Sequence, residues 1–154
     1  MTSYFITGGS GFIGRRVLER LLTVAPDATI HALVRETSRA AFLTMLDDLD
    51  AGDRVTPVVG DLTAPGLGIA PDTVPVIDHV IHLAAIYDMA ADAESQRAAN
   101  VVGTSRAADF AIAHDALFHH VSSIAVAGDH RGRFTEMDFE VGQGFPTPYH
   151  RTKF

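Results

Sequence analysis

Three observations predict a doubly wound α/β fold on a parallel sheet with strand order 3-2-1-4-5. Five short β-type runs alternate with segments of helical periodicity along the 154 residues. Two of those runs, Thr29–Val34 and Val76–Leu83, are mostly apolar rather than alternating, which suits strands covered on both faces. A glycine-rich turn joins the first strand to the first helix, and right-handed crossovers place the ligand-binding carboxyl ends of the strands along one edge.

The elements follow in order. Ser3–Thr7 is a short apolar strand. Phe12–Val24 sets Phe12, Ile13, Val17, Leu18, Leu21 and Leu22 on one side at helical spacing, and Ala25-Pro26-Asp27 breaks the pattern. Thr29–Val34 is the second strand. Ser38–Leu49 is a helix with Ala41, Phe42, Met45, Leu46 and Leu49 on its inner face and Ser38 as N-cap. Arg54–Val59 is the third strand, and Thr63–Pro75, rich in proline and glycine, is a loop. Val76–Leu83 is the fourth strand. Ala90–His114 is an alanine-rich helix in which Gly103 is a local cost. Ala116–Ser122 is the fifth strand, and Gly128–Pro146 is irregular.

Thr147 and Pro148 are a good N-cap and first helical residue for a further helix, but the sequence stops at Phe154. So short a helix is unstable alone. Tyr149–Phe154 is therefore expected to be frayed or held only by its neighbours. The whole of 1–154 is read as one partial domain, truncated at the start of this helix. A longer parent is expected to carry the substrate-binding region, and the fragment by itself is expected to be inactive.

Composition narrows the functional classes. With 47% hydrophobic and 20% charged residues the chain reads as globular. A net charge of −7 with no Lys/Arg-rich run argues against nucleic acid or an anionic membrane surface as partner. There is no cysteine, hence no thiolate nucleophile and no Cys-ligated metal. Eight histidines invite a metal reading, but none are paired at i, i+4, and His79 and His82 fall on opposite faces of a strand; no metal is expected. No apolar run approaches the ~18 residues of a membrane span and no signal peptide is evident, so a cytoplasmic location is expected.

The turn Thr7-Gly8-Gly9-Ser10-Gly11-Phe12-Ile13-Gly14 can be aligned as G-x-G-x-x-G from Gly9 or as G-x-x-G-x-x-G from Gly8. An early glycine allows the tight turn, Gly11 lets the backbone approach a pyrophosphate, and Gly14 lets the helix pack closely on the sheet. The helix N-terminus then turns free N–H groups toward the phosphate. Strand before and helix after make this a dinucleotide site on a Rossmann-type fold. At the end of the second strand, Leu33-Val34-Arg35-Glu36 places Arg35 where NAD-binding chains carry an acidic residue. A guanidinium matches a 2′-phosphate, and Arg39 could assist, so NADP(H) is favoured over NAD(H); in the alternative, Glu36 takes the ribose and Arg35 is a solvated loop residue.

Together these residues resemble the extended short-chain dehydrogenase/reductases over the whole chain. The glycine turn is similar to the family's nucleotide turn. Gly60-Asp61-Leu62 resembles its adenine-contacting segment, which implies Asp61 on the adenine amino group and Leu62 beside the ring. His82-Leu83-Ala84-Ala85 is similar to the strand end that lines the cofactor. Val121-Ser122-Ser123 with Tyr149-His150-Arg151-Thr152-Lys153 looks like its Ser…Tyr-x-x-x-Lys set, and Asn100-Val101-Val102-Gly103-Thr104 like the helix segment whose Asn supports the site or relays a proton. The implied cofactor-binding residues are Thr7, Gly8, Ser10, Gly11, Phe12, Ile13, Gly14, Arg35, Asp61, Leu62, Ala84, Tyr149 and Lys153. The implied catalytic residues are Ser123, Tyr149, Lys153 and Asn100. Ser123 is preferred to Ser122 because it lies five before Gly128, as in the family pattern, and because adjacent strand-end residues point oppositely.

The chemistry of carbonyl reduction accounts for the set. Hydride transfer to a carbonyl needs a proton donor for the oxygen, and a free tyrosine, pKa ~10, is a poor acid–base group at neutral pH. Lys153, at i+4, shares a helix face with Tyr149, and the first helical turn favours an anion. Tyr149 is thus the expected general acid/base. Lys153 would also hold the nicotinamide ribose and Ser123 the substrate oxygen. Among family branches the chain looks most like NADPH-using acyl-thioester and dihydroflavonol-type reductases. An NAD-dependent sugar-nucleotide epimerase or dehydratase, and a non-catalytic dinucleotide-binding module, are the alternatives. The resemblance further implies a small carbonyl substrate (aldehyde, ketone or thioester). It also implies a homodimer of the full-length parent through Ala90–His114 and the helix starting at Thr147.

Overall fold

The computed structural model of the chain describes residues 1–70, 72–87 and 91–154. Five parallel strands, β1 Ser3–Thr7, β2 Thr29–Val34, β3 Val55–Val59, β4 His79–His82 and β5 Leu117–His120, form one sheet in the order β3-β2-β1-β4-β5. The helices are α1 Phe12–Val24, α2 Arg39–Asp48, α3 Ala93–Arg97, α4 Gly103–Ala113 and α5 Pro148–Lys153. The expected strand order is the observed one. No helix among the described residues is long and apolar enough to cross a membrane.

Period-2 alternation splits the core between the two faces of the sheet. Ile6, Ile30, Ala32 and Val34 pack with Leu18 of α1 and Phe42, Met45 and Leu46 of α2. On the other face Phe5, Leu33, Val58 and Val80 pack with Phe110 and Ala111 of α4. Each fully buried Phe, Ile or Leu here contributes roughly 1.5–3 kcal/mol. Pro57 sits in β3, an edge strand, where a missing N–H is tolerated.

Several expected boundaries are corrected. β4 begins at His79, paired with Tyr4, rather than at Val76: Asp78 N still donates to Ser3 O at 3.0 Å, but Ser3 is the first residue of β1 and nothing in β1 lies opposite 76 and 77. Val76 is left exposed outside the ladder. β5 spans only the four residues that face β4, from Leu117 opposite His79 to His120 opposite His82. α2 starts at Arg39, with Ser38 at the N-cap position as expected, but Ser38 closes a 3₁₀ turn, Glu36–Ser38, and its hydroxyl makes no capping bond. The long helix expected from Ala90 begins, among the described residues, at Ala93, with Asp92 Oδ1 accepting from Ser95 N at 2.8 Å; Ala90 itself lies outside the described residues. It is interrupted by a π turn, Ala98–Val102, before α4. Gly103, at the start of α4, is explained by packing: a Cβ there would stand 2.8 Å from the Leu62 side chain.

The last helix is not frayed. Phe154 N donates to His150 O at 3.0 Å, Tyr149 is 7% exposed, and the Phe154 ring lies against Phe139 and Phe145 at 4.5 and 4.8 Å. Thr147 stands at the N-cap position without a capping bond, its hydroxyl paired instead with His150 Nδ1 at 2.7 Å. Neighbours, not intrinsic helicity, hold α5. The stretch 128–146 is irregular as expected, pinned by Gln143 Nε2, which donates to Val126 O and Phe139 O, and by Asp129 Oδ1, which accepts from Gly144 N.

Candidate functional site

A groove of about 550 Å³ runs along the carboxyl ends of β1, β2, β3 and β4. It is lined by Thr7, Gly8, Ser10 and Gly11 of the glycine turn, by Arg35 and Ser38 after β2, by Asp61 and Leu62 after β3, and by Ala84 after β4. Eight of the residues expected to hold a dinucleotide are therefore brought together. Phe12, 83% exposed, instead lines an adjoining hollow with Arg15, Arg16 and Ser38, and Ile13 and Gly14 line neither. Glu36 is exposed and does not line the groove, whereas Arg35 does.

The glycines divide their tasks as geometry demands. Gly8 has φ +74°, and a Cβ on it would come within 2.7 Å of Ala84 N, so the turn can lie against the end of β4 only with glycine there. Gly11 N donates to Gly8 O at 3.0 Å, and Gly11 is the N-cap of α1 with nothing but that carbonyl near its missing Cβ. Gly14 is buried against the Gly8 carbonyl and the Gly9 backbone, so it closes the helix onto the turn itself rather than onto the sheet. Gly9 has ordinary room, so the spacing that carries the geometry is Gly8, Gly11, Gly14.

Asp61 is set by its own loop. Its N–H donates to Leu67 O at 2.8 Å, and its Oδ1 accepts from Thr63 N and Thr63 Oγ1, both at 2.8 Å. These bonds hold its carboxyl below the usual range against a smaller opposing effect of burial, and the Arg35 guanidinium adds a still smaller lowering. Gly60 makes the approach of Leu67 feasible, since a Cβ there would collide with the Leu67 carbonyl.

The second cavity, about 1150 Å³, lies between the α3–α4 region and α5. Asn100, Thr104, His120, Ser122 and Lys153 line it beside Phe139, Phe145 and Phe154; Arg97 and Arg151 also line it, and among the described residues no Asp or Glu side chain does. Asn100, on the π turn, is almost fully buried: Oδ1 accepts from Ile86 N at 2.7 Å, and Nδ2 donates to Ile86 O at 3.1 Å and to Thr152 Oγ1 at 3.0 Å. Lys153 Nζ donates to Val121 O at 3.2 Å, and partial burial pushes its ammonium below the usual range. Tyr149 is buried edge-on against the Tyr87 ring at 4.9 Å and lines neither cavity. The Ser123 hydroxyl accepts from Ala125 N at 3.2 Å, capping the turn Ile124–Ala127, while Ser122 lines the cavity with Lys153.

Sequence reasoning passed over Tyr87 and His120, and quoted Thr104 and the fully buried His82 only as members of longer motifs, with no role of their own. The residue pattern alone, a polar side chain ending an apolar strand, reads His82 as a surface position, and the strand-end resemblance named its segment but not its burial. Burial first, then the charges of His120 and Lys153, push the His82 imidazole down from 6.5 to about 4. Between those values the unfolded chain takes up a proton that the folded chain refuses. Stability is thus full above pH 6.5 and falls by roughly 3 kcal/mol as pH drops to 4. His31, His114 and His120 are lowered by burial in the same direction. Urea midpoints measured from pH 7.5 to 4 should fall for the wild type and fall less for His82→Gln; parallel curves would contradict this.

The pattern that defines the male sterility protein family, a family of NAD-binding chains, matches residues 6–154. A dTDP-glucose 4,6-dehydratase of Mycolicibacterium smegmatis is 32% identical over 157 residues, covering 94% of this chain and 41% of the relative. Fatty acyl-CoA reductase 2, chloroplastic, of Arabidopsis thaliana is 26% identical over 94% of this chain and 28% of the relative. Among solved structures, the terminal R domain of the myxalamid PKS-NRPS biosynthetic pathway superposes with a TM-score of 0.85 at 27% identity, covering 99% of this chain and 43% of that one. The chain thus spans less than half the length of these relatives.

Proposed function

Because this chain belongs to the male sterility protein family of the extended short-chain dehydrogenase/reductases, we propose that it forms the cofactor groove and proton-handling site of an NADP(H)-dependent carbonyl reductase. The observation that carries the NADP(H) reading is the placement of Arg35 in the groove of the glycine turn, with Glu36 outside it. The groove fits the cofactor: it has glycines where a Cβ would fill the cradle, an open Gly11 at the N-terminus of α1, and a guanidinium at the end of β2. Gly8, Ser10 and Gly11, with the first-turn N–H groups of Phe12 and Ile13, hold the pyrophosphate. Arg35 holds the 2′-phosphate, Asp61 and Leu62 the adenine, and Thr7 and Ala84 form the floor. The bound dinucleotide supplies the hydride.

Tyr149 delivers the proton to the substrate oxygen, and Lys153 stabilises the phenolate left behind and anchors the ribose. Ser123, whose hydroxyl accepts from Ala125 N and so keeps its own hydrogen to donate, holds the substrate oxygen at the edge of the cavity that Ser122 lines. Asn100 fixes α5 against the Ile86 backbone. The cavity beside Lys153, with its phenylalanines and arginines, suits a carbonyl at the end of an apolar chain. The fatty acyl-CoA reductase relative points to a thioester. An NAD-dependent sugar-nucleotide dehydratase is the second reading, favoured by the mycobacterial relative.

Arg35→Ala separates the two. Loss of a charge-assisted phosphate contact should weaken NADPH binding roughly 10- to 100-fold and leave NADH binding unchanged. Equal effects on both cofactors would favour the dehydratase reading.

A further inference from the structure

His82 is 1% exposed and lies at the carboxyl end of β4, between the glycine turn and the π turn. Its two ring nitrogens meet two hydroxyls: Nδ1 is 2.6 Å from Thr7 Oγ1 and Nε2 is 3.0 Å from Thr104 Oγ1. Both hydroxyls have a second bond that fixes their direction. Thr104 Oγ1 donates its one hydrogen to Asn100 O at 2.7 Å, so toward His82 it can only accept. Nε2 must then carry the ring proton, and Nδ1 of the neutral imidazole is an acceptor. Thr7 Oγ1 therefore donates to Nδ1, while its lone pair accepts from Ala84 N at 3.3 Å. Every bond runs one way, from the Ala84 N–H through Thr7, His82 and Thr104 to the Asn100 carbonyl.

The chain continues beyond Asn100. The Asn100 carbonyl is held by Thr104 within a π turn, where ordinary α-helical bonding is broken. The side chain of the same residue donates through Nδ2 to Thr152 Oγ1, which in turn donates to Tyr149 O at 3.1 Å. One hydrogen-bonded series thus connects β1, β4, the π turn and α5. Beside it, His82 stacks on the His120 ring at 5.5 Å, and the Lys153 ammonium is the other charged group that acts on it; Thr7 and Thr104 carry no charge.

We propose that His82, as the neutral tautomer protonated on Nε2, is a positioning residue that holds the Asn100 π turn through Thr104, and thereby the helix that carries Tyr149 and Lys153. The tautomer and the linkage rest on the hydrogen-bond geometry alone. The consequence for turnover rests on the reductase reading above.

Long-range ¹H–¹⁵N correlation on the ¹⁵N-labelled chain at pH 7 should show the His82 proton on Nε2; a proton on Nδ1, or a fast-exchanging mixture, overturns the proposal whatever the protein catalyses. In the intact protein, His82→Gln places an amide donor where Nε2 stands, whereas His82→Asn reaches only to the position of Nδ1. His82→Gln should keep kcat within about threefold, and His82→Asn should lose about tenfold or more in kcat with little change in KM for the dinucleotide, as expected for one missing hydrogen bond at a buried site. Equal losses in both variants, or a loss confined to KM, overturn the positioning role. If the wild type binds no dinucleotide, the reductase reading fails while the tautomer measurement still decides the assignment of His82.

Discussion

Tyr149→Phe should lower the turnover of the intact protein by about 10²- to 10⁴-fold, the usual contribution of a positioned general acid, and leave dinucleotide affinity unchanged. The substitution removes one oxygen and no packing. The ring is buried edge-on against Tyr87, and that contact involves the ring faces and edges rather than the hydroxyl. Helix α5 keeps its anchors, since Thr152 is bonded from Asn100 and Lys153 reaches Val121 O. A drop in kcat with unchanged binding and stability assigns the proton step to the phenol. Undiminished turnover would remove Tyr149 from the mechanism, and the chain would then be better described as a binding module whose Tyr-x-x-x-Lys spacing is incidental.

The second large effect lies in the glycine turn. In Gly14→Ala the new Cβ would collide with the Gly8 carbonyl oxygen and stand 2.7 Å from Gly9 Cα, and both neighbours are backbone with no rotamer to yield. Alanine in a helix interior gains ~1 kcal/mol over glycine in propensity. Because both neighbours are backbone, the overpacking cost is taken at the upper end of the usual range, about 3 kcal/mol, so a net loss of about 2 kcal/mol is expected in urea unfolding. On the proposed reading dinucleotide affinity should fall as well, because relieving the clash opens the turn assigned to the pyrophosphate. Gly9→Ala is the control: its nearest neighbours are side-chain atoms of Phe42, Leu18 and Ala32 at 3.5 Å or more, and it should change stability by less than about 1 kcal/mol. A Gly14 variant as stable as the Gly9 variant would contradict the closure of α1 onto the turn.

How far the sequence led can be judged residue by residue. β1, α1 and β2 have the expected boundaries, because each carries both a clean apolar period and a stop signal such as Pro26. The ends of β4 and β5 were overextended, because apolar character continues past the point where a neighbouring strand ceases to supply partners. Pairing is a property of two strands and cannot be read from one. The π turn was invisible for a related reason: the Asn100–Thr104 bond is local, but the His82 ring that meets Thr104 arrives only when β4 and α4 are packed.

Within the site, the groove was legible because each of its contributors follows a strand at a fixed offset. Arg35 and Asp61 fall where strand ends must converge in a parallel sheet. The choice between Ser122 and Ser123 was not settled by spacing: Ser123 caps the following turn, while Ser122 lines the cavity. Tyr87 was missed because a single aromatic after a strand has no periodic signature.

The most direct test of the central claim, a dinucleotide groove that prefers NADPH, is a titration of the chain with NADPH and, separately, with NADH. The account predicts saturable binding of both, with NADPH tighter by about tenfold or more, consistent with one charge-assisted phosphate contact from Arg35. Tighter binding of NADH, or binding of neither by the folded chain, would contradict it.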